Sequence, residues 1–324
     1  MSNKVFTINN IQTQDKLQIA TEFNKLFTEM GPALAKNIPN VMQPPPQKVP
    51  IVKDSMAVLM TDACEIYNII STMKSSSSCG VDQIPFSVIK SVAFQISPIL
   101  STLINHSITS GIFPDALKVA KITPIFKTGD KSKITNYRPI SVLNSFSKIY
   151  EKVFLNRLNV HLSKLNILQD AQFGFRKNRS TQLALLSFID TVTEALDNNH
   201  FVVSLFLDLS KAFDTIDHAI LQKKMFNIGI RGMALDYINN YLTNRLQFVT
   251  IDDTSSDLRG VTCGVPQGSI LGPILFLIYI NDLQNCSTLF KLLLFADDTT
   301  LLYSSKDLDS LITIINKELL LFSE

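Results

Sequence analysis

No apolar stretch in this 324-residue chain reaches the roughly 18 residues that a membrane-spanning helix needs. The longest, Gly272–Ile280, is closed by Asn281 and Asp282. The N-terminal MSNKVFTINNIQTQDK has no apolar core of the kind a secretion signal requires. These absences give an intracellular expectation, nuclear or cytoplasmic, with no secretion and no membrane partner. Cysteine is scarce: Cys64, Cys79, Cys263 and Cys286 show no C-x-x-C spacing, and the four histidines do not cluster with them. Reduced, structural thiols without zinc are expected. No repeat at a solenoid period is visible. The net charge of +2 is too small to name a partner by itself.

What is present is a large apolar content, 46% of residues, enough for one big domain or two interleaved ones. The cations are unevenly spread. Lys118, Lys121, Lys127, Lys131, Lys133 and Arg138 stand against Asp130 alone, and Arg176, Lys177 and Arg179 follow in GFRKNRST. Either run can be a solvated loop; beside an acidic metal site they point to a phosphate-rich ligand.

Periodicity organises the rest. DKLQIATEFNKLFTEM predicts a helix with Leu17, Phe23, Leu26, Phe27 and Met30 near helical spacing. QPPPQKVP predicts an extended linker, and KSSSSCGVDQIP a polar turn region before a helical stretch from Phe86. Asn144–Leu162 reads as a helix with Phe146, Ile149, Val153, Leu158 and Leu162 on one face. Ser180 suits the N-cap of a helix carrying Leu183, Leu186 and Ile189 inward. Phe201–Leu209 is nearly continuous in apolarity, as in a central strand, and stops at Asp208. Asp214 and Asp217 have bland readings as turn and cap. Gly264 and Gly268 punctuate a loop able to approach a ligand closely, and Pro273 fits the first turn of the helix that follows.

KLLLF and TTLLY read as two strands flanking a tight turn at Ala296, Asp297 and Asp298. Burying two adjacent carboxylates costs several kcal/mol unless their charge is compensated. A structural pair at a turn is one reading. Ligation of divalent metal is the other: hard oxygen ligands suit Mg²⁺, and two ions about 3.5–4 Å apart serve phosphoryl transfer. A strand-end Asp208 and a hairpin Asp could then meet in one sheet.

Five segments taken in order carry a resemblance: Asn136–Leu158, Gln172–Thr181, Phe206–Asp214, Gly264–Asp282 and the FADD of Phe295–Asp298. Together they resemble the successive motifs of reverse transcriptases, in particular those of non-LTR, LINE-type, jockey-like retrotransposons. The likeness spans Lys74 to the C-terminus, with Gly111–Asp130 similar to the lead-in of such elements.

The resemblance implies an α+β right-hand polymerase fold, with fingers interleaved with a palm built on an antiparallel sheet. The implied organisation is a helical extension over 1–43, a linker with a first helix over 44–73, and fingers and palm over 74–324. The implied reaction is addition of dNTPs to a DNA primer 3′ end on an RNA template, with two Mg²⁺ ions, or Mn²⁺ in their place. Asp208 and Asp297 are implied metal ligands, with Asp298 alongside and less indispensable. Phe213 falls where an aromatic gate would exclude the ribose 2′-hydroxyl. Gln267 and Gly268 match a loop near the incoming nucleotide. Arg138 and Lys127 match cations that hold the triphosphate, and Arg176 and Arg179 are expected on template backbone. The family's thumb and the rest of its palm are not present before Glu324, which implies a fragment, a degenerate copy or a partial gene model. On that expectation Leu311, Ile315, Leu319 and Phe322 form a stripe lacking its partner. The competing reading is an inactive nucleic-acid-binding remnant, and the sequence sets no oligomeric state.

Overall fold

The computed structural model describes residues 5–8, 11–36, 51–75 and 78–322. The expected linker QPPPQKVP lies outside them. In chain order the elements are β1 (Phe6–Ile8), β2 (Ile11–Thr13), α1 (Lys16–Lys36), α2 (Ala63–Thr72), α3 (Phe86–Ser91), α4 (Ala93–Ser110), β3 (Val119–Phe126), β4 (Tyr137–Val142), α5 (Ser145–Lys164) and α6 (Thr181–Asp197). Then come β5 (Phe201–Asp208), α7 (His218–Asn227), α8 (Met233–Leu242), β6 (Arg245–Ile251), β7 (Thr254–Ser255), β8 (Arg259–Val261), α9 (Gly272–Ile280), β9 (Lys291–Phe295), β10 (Asp298–Ser305) and α10 (Leu308–Leu320). This is a mixed α+β fold. The described residues fall into two compact units, one built from 5–8, 11–36, 52–75, 78–161 and 213–272, the other from 51, 162–212 and 273–322.

The first unit holds a sheet in the order β4-β3-β6-β7, with β8 also on β6. Only the β3–β6 pair in it is parallel. Helix α1 lies on β6, β7 and β8. Its buried side chains are Ile19, Ala20, Phe23, Asn24 and Phe27. The apolar ones join Phe6, Ile122, Tyr137 and Val249 in one core, where the Phe23 ring meets Phe6 and Tyr137 edge-on at 5.5 and 5.2 Å. The N-terminal helix thus shares the sheet's core. Its amphipathic stripe is rotated from the expected one, because Leu17 is exposed while Ile19 and Ala20 are buried. Helix α5 buries Ile149, Val153 and Leu158 as its spacing predicts, and Phe154 stacks on Tyr237 of α8 at 4.6 Å.

The second unit is a three-stranded antiparallel sheet in the order β5-β10-β9, covered on both faces. Alternation along the strands explains how. Val203, Leu205, Leu207, Leu301 and Tyr303 face Leu311 and Ile315 of α10, and Val202, Leu293 and Leu302 face Ala184, Phe188 and Val192 of α6.

Three expectations are corrected here. Strand β5 is an edge strand, not a central one, and its Phe206 is 73% exposed. Leu183, Leu186 and Ile189 point outward, since α6 turns its Ala184–Phe188–Val192 stripe to the sheet instead. The stripe of Leu311, Ile315, Leu319 and Phe322 does not lack a partner: it packs on the sheet with Phe290, whose ring meets Phe322 at 5.9 Å. Ser180 and Asp217 cap α6 and α7 as read, accepting from Leu183 N and Ile220 N. Among the described residues no helix is long and apolar enough to cross a membrane.

Candidate active site

The second unit concentrates acids at one end of its sheet. Register pairs Asp208, the last residue of β5, directly with Asp298, the first of β10. Directly opposed residues share a face of the sheet with Cβ atoms about 4.5–5.5 Å apart. Asp297 lies in the two-residue turn between Phe295 and Asp298. The acids are not sunk in the apolar run that flanks them. Asp208 and Asp298 are exposed and Asp297 is half-buried, while their neighbours Ala296 and Thr299 and the strand residues Leu292, Leu294, Leu301 and Leu302 are buried. The burial expected for the acid pair is therefore corrected. Register also sets Asp298, rather than Asp297, opposite Asp208.

Like charges directly opposed across two strands repel. Among the described residues no Lys or Arg forms an ion pair with Asp208, Asp297 or Asp298. Nor do three His, Cys, Asp or Glu side chains converge into a ready metal cage among them. Such a donor set suits a hard cation that keeps waters and substrate oxygens as its other ligands, as Mg²⁺ does. The residues present fit that ion.

The turn is held from behind by the segment 171–174. Phe173 N donates to Leu294 O at 2.7 Å and Leu294 N to Ala171 O at 2.8 Å. Gln172, only 4% exposed, accepts from Ala296 N at 2.9 Å and donates to Ala296 O at 3.2 Å. Gly174 backs directly onto the Ala296 backbone, where a Cβ would overlap it. Arg176 and Arg179 brace the same loop. Arg176 donates to Gln169 O at 2.6 Å, and Arg179 pairs with Asp170 at 2.6 Å while lying over the Phe173 ring at 5.1 Å. Burial, with Arg179 nearby, pulls the Arg176 guanidinium below its usual range. Both cations expected on template are already engaged in holding this loop.

The first unit holds the remaining candidates. The β3–β4 ladder pairs Ile125 with Arg138 and Phe126 with Tyr137, and Lys127 N extends it to Asn136 O at 2.9 Å. Alternation then places Lys121, Lys127 and Arg138 on one face, opposite the face that carries Ile122, Phe126 and Tyr137 into the core. Lys127 and Arg138 are exposed. Lys118 does not belong with them: it is 1% exposed and paired with Asp115 at 2.8 Å.

Beside this ladder the loop from Gly264 to Leu271 is tied on three sides. Ser141 N of β4 donates to Gln267 O at 2.7 Å. Val265 N donates to Phe213 O at 2.8 Å, and Gln267 Nε2 donates to Asp214 Oδ2 at 2.7 Å. Asp214, read from sequence as a turn residue, thus holds a candidate loop residue. Gly268 has φ +115°, and a Cβ there would stand 2.7 Å from Ser141 O. The third tie is Glu151 of α5. Its carboxylate accepts from Ile270 N at 2.7 Å, Leu271 N at 3.0 Å and Ser147 Oγ at 3.0 Å. Burial pushes this carboxyl up, opposed by those amides and by the Arg245 charge.

Sequence reasoning missed Gln172, Gly174 and Glu151. Gln172 and Gly174 stand inside a quoted motif, but nothing local says that they reach a turn more than 120 residues away. Glu151 had a visible signal, since it shares the helical phase of Ser147, Phe154 and Leu158, a face otherwise buried.

Comparison with known proteins follows the same lines. Residues 126–320 match the family model described as reverse transcriptase (RNA-dependent DNA polymerase). The chain is 33% identical over 253 residues to the probable RNA-directed DNA polymerase from transposon BS of Drosophila melanogaster, covering 74% of this chain and 27% of that protein. It is 31% identical over 252 residues to the RNA-directed DNA polymerase from mobile element jockey of Drosophila melanogaster, covering 75% and 27%. The corresponding X-element protein is 30% identical over 256 residues, covering 78% and 28%. The chain therefore spans about a quarter of the length of these relatives.

Proposed function

This chain belongs to the reverse transcriptase (RNA-dependent DNA polymerase) family, and from that premise we propose that it carries the polymerising part of a jockey-like, non-LTR retrotransposon enzyme. The reaction is transfer of a deoxynucleotide to a DNA primer 3′ end on an RNA template. In the right-hand architecture of such enzymes, the β5-β10-β9 sheet is the palm and the β3–β4 ladder belongs to the fingers.

One observation carries this reading: Asp208 faces Asp298 across the ladder with Asp297 in the adjoining turn, and no protein cation among the described residues neutralises them. Bound Mg²⁺ would stabilise charge on the attacking and leaving oxygens. The acids Asp208, Asp297 and Asp298 would hold it. Lys127 and Arg138, free of carboxylate partners among the described residues, attract the triphosphate, and the planar Arg138 guanidinium suits bidentate contact with phosphate. Phe213, half-buried with its carbonyl fixed by Val265, offers its ring against a 2′-hydroxyl. Gln267 and Gly268 lie against the nucleotide. Arg176 and Arg179 act on nucleic acid chiefly by holding the loop behind the hairpin.

Mg²⁺-dependent extension of a DNA primer on an RNA template by the unaltered chain, lost in Asp208→Asn, tests the proposal. Template binding without extension would favour the second reading, a nucleic-acid-binding remnant that retains the exposed cations of the β3–β4 face.

A further inference from the structure

We propose that Gln172 is a positioning residue that fixes the acid-bearing turn between β9 and β10, so that Asp297 is presented in one conformation. The inference rests on the proposed metal-binding role of that turn.

Two-residue hairpin turns need backbone in the left-handed region, which is why glycine, asparagine and aspartate dominate them. Here the first turn residue is Ala296, with φ +55°. Its methyl group makes that conformation cost about 1–2 kcal/mol, so the surroundings must supply what glycine would supply by itself. Gln172 does so from both sides of one residue. Its Oε1 accepts from Ala296 N at 2.9 Å and its Nε2 donates to Ala296 O at 3.2 Å.

The amide side chain is itself fixed. The same Oε1 accepts from Gly174 N at 2.7 Å, and the Gln172 backbone bridges to Leu294 in parallel register. Gly174 lets the two backbones close to contact, since any larger residue would meet Ala296. No other side-chain type of this length offers an acceptor and a donor together. Glutamate would set a buried negative charge against Ala296 O, and leucine or methionine would leave Ala296 N and O unpaired. An alanine held this way also has fewer alternatives than glycine would have, so the hold narrows the turn and with it the place of Asp297.

The experiment uses the full chain and Mn²⁺ as probe, its binding followed by electron paramagnetic resonance, with hydrogen exchange read over 292–299. Gln172→Met keeps the volume and removes the hydrogen bonds. Loss of one to two net bonds corresponds to about a tenfold effect, so Mn²⁺ affinity should fall about tenfold and the Ala296 amide should exchange about tenfold faster. Ile315→Val, in the core behind the same sheet, lowers stability without touching the turn and should leave Mn²⁺ affinity unchanged. Gln172→Glu keeps the acceptor for Ala296 N but sets a buried charge against Ala296 O, so its Ala296 amide should also exchange faster than in wild type. Gln172→Met binding Mn²⁺ as wild type does, while Asp297→Asn loses it, overturns the positioning role. If Asp297→Asn binds Mn²⁺ normally, the metal reading fails instead, and unchanged Ala296 exchange in Gln172→Met then overturns the hold on the turn independently.

Discussion

Asp208 and Asp298 are direct cross-strand partners at the open end of the β5–β10 ladder, two negative charges held on one face with no protein cation among the described residues to separate them. Opposed like charges destabilise a ladder by a few tenths of a kcal/mol to about 1 kcal/mol. Asp298→Asn should therefore raise the melting temperature of the metal-free protein slightly and lose that advantage as Mg²⁺ saturates. Calorimetry with and without Mg²⁺ checks it; a destabilised Asp298→Asn in chelator would contradict the repulsion.

Catalysis should separate the three acids. Asp208→Asn and Asp297→Asn are expected to abolish Mg²⁺-dependent extension, because an amide keeps the shape and loses the charge that a hard dication needs. Asp298→Asn should retain part of it. Single-turnover extension rates at several Mg²⁺ concentrations read the difference.

Glu151 is fully buried beside Arg245, with three hydrogen bonds on its carboxylate. Truncating it leaves the Ile270 and Leu271 amides without their acceptor, at about 1–3 kcal/mol for each unsatisfied group. Urea unfolding of Glu151→Ala should show a loss of that order and Glu151→Gln a smaller one, with faster amide exchange at Ile270 and Leu271 in both.

Gly268→Ala should cost about 1–3 kcal/mol, since it combines a positive φ with a Cβ 2.7 Å from Ser141 O. The strain can be relieved only by moving the loop off β4. A higher KM for dNTP, together with a lower urea midpoint, is the expected pair of results.

Glu65 yields a pH prediction. Burial works to raise its pKa, but hydrogen bonds from Arg157 and Thr61 and the Arg157 charge outweigh it and leave the carboxyl below the 4.5 of a free glutamate. The folded value is the lower one, so this group's contribution is present above pH 4.5 and is lost as the pH falls through the folded value. Arg157→Met should flatten the acid limb of the stability curve below pH 4.5 and lower stability at neutral pH.

The ordered motifs, the hairpin and most helices could be read from the sequence because each rests on local pattern: β9 and β10 flank a two-residue turn, and Ser180 and Asp217 cap where expected. Tertiary choices were less legible. Nothing in Phe201–Asp208 distinguishes an edge strand covered by two helices from a central one, since both need apolar faces. Helix α6 is apolar on more than one side, so periodicity allowed Leu183, Leu186 and Ile189 inward where packing selected Ala184, Phe188 and Val192. The roles of Gln172 and Glu151 depend on partners more than 100 residues away, which no spacing rule encodes.

The packing of α1 bears on how the protein can be cut. The family-model match begins at residue 126, yet Phe6, Ile19, Phe23 and Phe27 complete the same core as Ile122, Tyr137 and Val249. Gly31 of α1 also sits against Cys263 and the Asp214 carbonyl, close enough that a methyl group there would collide with both. Excision at that boundary would remove β3 from between β4 and β6 together with the α1 wall, and bare aromatic rings such as Tyr137 to water. A piece that keeps this core whole therefore starts at or before β1, and a boundary drawn from the family-model match alone would place the scissors inside the hydrophobic core.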